Sequence, residues 1–110
     1  MPRTTLTQPA FHILLALAER ELHGLGIADR VEDLSRGAVE LGPGTLYRSL
    51  KEMVESGMIR EARAPEGETD PRRKYYAITA AGRRAVAAEA AHLERLVKAA
   101  RDRKLLPERA

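Results

Sequence analysis

Apolar positions along this chain recur mostly at helical spacing, with a β-compatible stretch between the third and last helical runs. Ala10, Ile13, Leu14 and Leu17 form the first stripe, and Phe11, Leu15 and Ala18 widen it, so the first helix is expected to be buried over most of its circumference. Thr7 is its N-cap, Pro9 lies in its first turn, and it is expected to end near Arg20. His23, Gly24, Leu25, Gly26 and Ile27 then read as a turn into a second helix, with Ile27, Val31 and Leu34 inward and Asp29, Arg30, Glu32 and Asp33 in water. Ser35 to Gly37 close it, and Val39 with Leu41 suggest a very short extended segment. The next stretch, Gly42 to Gly57, has both ends marked. Gly42 serves as N-cap, Pro43 suits the first helical position, and Gly57 sits where a left-handed stop belongs. Leu46, Leu50, Met53 and Val54 are its apolar back, while Thr45, Tyr47, Arg48, Lys51, Glu52 and Glu55 are its polar front.

After Gly57 the period changes. Residues 58–63 and 72–79 are β-compatible runs joined by a breaker-rich loop, which predicts a two-stranded hairpin with Ile59, Tyr76 and Ile78 on its inner face. Thr79 then caps a long last helix reaching about Lys104, and the tail from Leu105 to Ala110 is expected to be disordered, as is a loose basic leader over Met1 to Leu6. Val86, Leu93 and Ala100 repeat at seven, with Ala90, Leu96 and Val97 between them, a seam suited to a partner helix. The fold class is therefore mainly α with a two-stranded β wing. Residues 1–78 form a winged helix-turn-helix domain, 79–104 a C-terminal dimerisation helix and 105–110 a tail.

Composition narrows the chemistry. The 110 residues suffice for one modest core, and the absence of cysteine excludes disulfides, thiolate metal sites and a cysteine nucleophile. His12, His23 and His92 lack ligand spacing, so no metal or cofactor is expected. No apolar run approaches the ~20 residues of a membrane span, and no signal-peptide pattern precedes the first helix, so the expectation is a soluble cytoplasmic protein. Net charge is +3, and the excess lies late: residues 79–110 hold eight cations and four acids, whereas 42–57 hold two of each. Overall charge thus argues little for nucleic acid; placement must carry that case.

The polar front of the Gly42 helix fits an ordinary solvated face, and it also fits a recognition helix that needs long donors in its first turns. On the wing, Arg72, Arg73 and Lys74 are placed to meet a DNA backbone or minor groove. The glycines around position 24 do not make a phosphate loop, since no strand precedes them and no Lys-Ser or Lys-Thr follows. No nucleophile, base and orienting group share a motif, so an enzyme is not expected. A winged-helix module using the same faces for protein contacts remains the alternative.

Four pieces in order, His23-Gly24-Leu25-Gly26-Ile27, Gly42 to Leu50, Gly57-Met58-Ile59 and Arg72 to Gly82, resemble the PadR family of bacterial transcriptional regulators over about residues 8 to 85. The single C-terminal helix is similar to that family's small subfamily. The resemblance implies a homodimeric winged helix that binds a palindromic double-stranded DNA operator, usually represses a nearby gene and is often released by a small-molecule effector. It places Thr45, Tyr47, Arg48 and Lys51 on the DNA face of the recognition helix and Arg72, Arg73 and Lys74 on the wing. Leu25 stands where the family commonly has tyrosine, which is expected to alter second-helix packing or one phosphate contact. Glu66, Glu68 and Asp70 would repel phosphate, so the wing tip is expected to swing away from the duplex. The last helix has no aromatic residue, so a flat drug could not be sandwiched between indoles there.

Overall fold

The computed structural model describes residues 6–107. Its elements run α1 (Gln8–Glu19), β1 (Leu22–His23), α2 (Gly24–Ser35), α3 (Pro43–Glu55), β2 (Ile59–Ala62), β3 (Tyr75–Ile78) and α4 (Ala80–Asp102). The Thr7 hydroxyl accepts the Ala10 N–H at 3.2 Å and starts α1. This helix is the hub, touching α2, α3, β3 and α4, which is why Ile13, Leu14, Ala16 and Leu17 are all fully buried. Around it close Ile27 and Val31 of α2, Leu46, Leu50 and Met53 of α3, and Ile59, Tyr76 and Val86. Each large side chain so buried contributes about 1.5–3 kcal/mol.

Two expected core residues are not core. Leu34 is 40% exposed and Val54 39%. Each lies in the last turn of its helix, where the stripe has outrun the elements that cover it. Val39 and Leu41 pack half-buried against the core, but they form no strand; the Ser35 hydroxyl accepts the Val39 N–H at 3.0 Å and draws the connector onto the end of α2.

The sheet has three strands instead of the expected two. Its order is β1-β3-β2, antiparallel throughout, with Leu22 opposite Tyr76, His23 opposite Tyr75, and Ile59 opposite Ile78. A two-residue strand running straight into a helix has too few positions to show a period of two. Because β3 is central, Tyr75 and Ala77 are buried as well as Tyr76, so both its faces are covered.

The joint between α3, the sheet and α4 is tight. Gly57 takes φ +80 and lets the Met58 N–H return to Met53 O at 3.0 Å. The Thr79 hydroxyl donates to Gly57 O at 2.6 Å, with Met58 O 2.9 Å away, and accepts the Gly82 N–H at 3.1 Å. A Cβ on Gly82 would stand 2.2 Å from Met58 O, so α4 can begin this close to the sheet only with glycine there.

Val86, expected in the dimer seam, is instead buried in the chain's own core, because Gly82, Val86 and Glu89 form the inner stripe of α4. The helix closes with Lys104 at φ 62 and the Leu105 N–H on Ala100 O at 2.9 Å. The expected tail therefore opens with a closed turn, and Arg101 Nε donates to Pro107 O at 3.2 Å. Residues 108–110 of that tail and 1–5 of the expected leader lie outside the described residues, while Leu6 packs against the core.

Candidate nucleic-acid interface

The apolar back of α3 faces α1, which turns its other face outward. Tyr47, Arg48 and Lys51 are exposed on that face, and Thr45 is half-buried beside them. Among the described residues Arg48 and Lys51 enter no ion pair, so both cations are available to a ligand. The Tyr47 ring lies over Gly24, where a Cβ would come within 3.1 Å of its hydroxyl.

Between α3, the start of α2 and the wing runs a cleft of about 460 Å³, lined by His23, Gly24, Leu25, Tyr47, Tyr76, Asp70 and the Arg72–Lys74 triplet. The structure thus brings Tyr47 together with all three predicted wing cations. Leu25 is 62% exposed at this cleft, so a tyrosine in its place would change the cleft and leave α2 packing alone. His23 ends β1 and begins α2, with no side-chain cap on the helix, and its ring sits 5.3 Å from that of Tyr75.

The wing strands are shorter than the sequence suggests, so Arg72 sits in a turn and Arg73 and Lys74 in the irregular stretch that leads into β3. Each is already matched to a carboxylate: Arg72 Nε to Asp70 at 3.2 Å, Arg73 Nη1 to Glu68 at 3.2 Å, and Lys74 Nζ to Glu61 at 3.4 Å. Glu68 and Asp70 therefore fold back into the wing. The Tyr75 hydroxyl donates to Glu68, as do the Asp70 N–H at 3.0 Å and Arg73, and together they hold its carboxyl down to about 2. Asp70 is lowered too, first by the Arg72 guanidinium and then by the Arg72 backbone N–H. The Tyr75 hydroxyl is raised by its bond to Glu68, and that of Tyr76 by burial. The Lys74–Glu61 pair was invisible in the sequence because the two residues meet only once β2 and β3 are in register.

Residues 13–88 match the model of the PadR-like family of transcriptional regulators. The chain belongs to this family. Among its relatives, the transcriptional regulator Rv3488 of Mycobacterium tuberculosis is 34% identical over 88 residues, which is 79% of this chain and 77% of that protein. A PadR-family transcription regulator from hypervirulent Clostridium difficile superposes with a TM-score of 0.74 at 24% identity, covering 87% of this chain and 97% of the other. Bacillus subtilis PadR, solved in complex with operator DNA, gives a TM-score of 0.61 at 23% identity over 72% of this chain and 44% of that one. The zinc-responsive MarR-family protein ZitR of Lactococcus lactis also shares the fold, with a TM-score of 0.67 at 23% identity over 92% of this chain and 62% of that one. The winged helix alone does not separate PadR from MarR; the family model does.

The remaining seam residues of this PadR-family chain lie along the outer half of α4. Leu93, Leu96 and Val97 are exposed at 37%, 52% and 38%, Ala90 is exposed and Ala100 half-buried. Leu93, Leu96 and Ala100 continue the stripe of Gly82, Val86 and Glu89 past the point where the body covers it. Among the described residues no group of His, Asp and Glu could hold a metal ion, and no helix is long and apolar enough to cross a membrane.

Proposed function

We propose that this PadR-family chain is a repressor that binds a pseudo-palindromic DNA operator as a homodimer and is released by a small-molecule effector. The observation that carries DNA binding is the contrast on α3: a buried apolar back, and on the front two cations that enter no ion pair among the described residues, beside an exposed tyrosine. Arg48 is suited to a bidentate contact with guanine, Lys51 to a base or phosphate, Thr45 to a hydroxyl contact, and Tyr47 to phosphate or a thymine methyl. The neighbouring cleft, with its wing cations, follows the backbone alongside. The operator complex of Bacillus subtilis PadR supports the same use of this fold.

Dimerisation is supported by the stripe of α4, which leaves the body with Leu93, Leu96 and Val97 uncovered. Two copies joined there would present two α3 helices to half-sites about one helical turn apart. Repression and effector release are what membership of the family supports. Fluorescence anisotropy against DNA from the chain's own promoter region, across a salt series, tests the reading: operator should bind far more tightly than scrambled DNA. Equal affinity for the two would sink it and favour the protein-contact alternative.

A further inference from the structure

Resting on the DNA-binding reading above, we propose that Asp70 and Glu61 are affinity-restraining residues of the wing. Seated on Arg72 and Lys74, they stand where DNA phosphates would and hold down the sequence-independent part of the affinity. Three successive cations each meet a carboxylate, and these come from separate places: Asp70 and Glu68 from the wing loop, and Glu61 from β2. Arg72 grips Asp70 through Nε at 3.2 Å and Nη2 at 3.4 Å, the two-pronged geometry a guanidinium offers a phosphate.

The three pairs are not equivalent. The Arg72 side chain is 90% exposed and that of Lys74 70%, so solvent screens their pairs and leaves them open to exchange. Glu68 is only 7% exposed and also takes the Tyr75 hydroxyl and the Asp70 N–H, so Arg73 braces the loop and stays where it is. When a phosphate takes Arg72 or Lys74, the abandoned carboxylate returns to water and regathers counterions. Net counterion release is then smaller than a free cation gives, and sequence-independent binding is nearly all counterion release. DNA of any sequence therefore gains little from the wing, while α3, whose cations enter no ion pair among the described residues, keeps its full contribution.

The test titrates the wild-type chain and the variants Asp70→Asn, Glu61→Gln and Glu66→Gln against one short mixed-sequence duplex over a salt series. Asn keeps the oxygen that accepts the Arg72 N–H at 2.9 Å, so the turn survives. Glu66 is exposed at the tip and enters no ion pair among the described residues, so its variant removes the same charge without freeing a cation. Asp70→Asn and Glu61→Gln should each bind up to about fivefold more tightly at low salt. Their plots of log affinity against log salt should steepen by up to about 0.9, and Glu66→Gln should change clearly less. Matching thermal melts check that all three are folded. Slopes for Asp70→Asn and Glu61→Gln no steeper than that of Glu66→Gln would overturn the proposal while leaving DNA binding intact. A wild-type chain that binds no duplex even at the lowest salt overturns the DNA reading and the proposal together.

Discussion

Gly82 shows how one missing methyl group fixes a joint. An added Cβ would lie 2.2 Å from Met58 O and 2.9 Å from Ile78, and the first of these is backbone that cannot swing aside. Gly82→Ala should therefore cost about 1–3 kcal/mol or more, read as a lower urea midpoint. Gly44→Ala, with nothing within 4 Å, should leave the midpoint where it is or raise it slightly. Glu68 gives a second residue-scale prediction. Its carboxyl is held at about 2 in the fold against an ordinary 4.5, so its contribution to stability is complete above pH 4.5 and lost as pH falls toward 2. The wild-type midpoint should drop across that window, and Glu68→Gln should flatten that part of the profile. Neither role is visible in the sequence, where Gly82 only closes a motif of the resemblance and Glu68 is one of three wing-tip acids that would repel phosphate.

At the scale of elements, α3 and the wing divide the charge work differently from what a linear count of cations suggests. Arg48→Ala should relax sequence preference at its base pair by about 1–3 kcal/mol, measured as lost discrimination between operator and point-mutated operator. Lys51→Ala should weaken binding to all sequences and flatten the salt slope by about 0.9 if it meets phosphate. Arg73→Ala should act differently, lowering the thermal midpoint more than it flattens the salt slope, because it strips a partner from a nearly buried carboxylate. Most of α3 was legible beforehand, since capping glycines and a period near 3.6 are local signals. Its last apolar position, Val54, was not, because burial there depends on where the neighbouring elements stop.

For the whole molecule, the extents of 51 × 33 × 25 Å describe a small body carrying a long arm. The first half of α4 belongs to the body through α1, and the second half exposes Leu93, Leu96 and Val97. Leu93→Asp should convert a dimer to a monomer in light scattering and, with two half-sites no longer gripped together, sharply weaken operator binding. A wild-type monomer at micromolar concentration would defeat the seam. The seven-residue repeat, read as a single partner-helix seam, did not mark this division, since it grouped Val86 with Leu93 although one is core and the other surface.

By itself the sequence determined the helices, their caps, the existence of the wing and the family, because each rests on spacing and turn chemistry within a few residues of itself. Tertiary structure alone decided that β3 would be flanked by a third strand, that Val86 would serve the chain's own core, and that Lys74 would meet Glu61. Those outcomes depend on strand register and on which surfaces close over one another, and such contacts join residues whose separation along the chain carries no periodic trace.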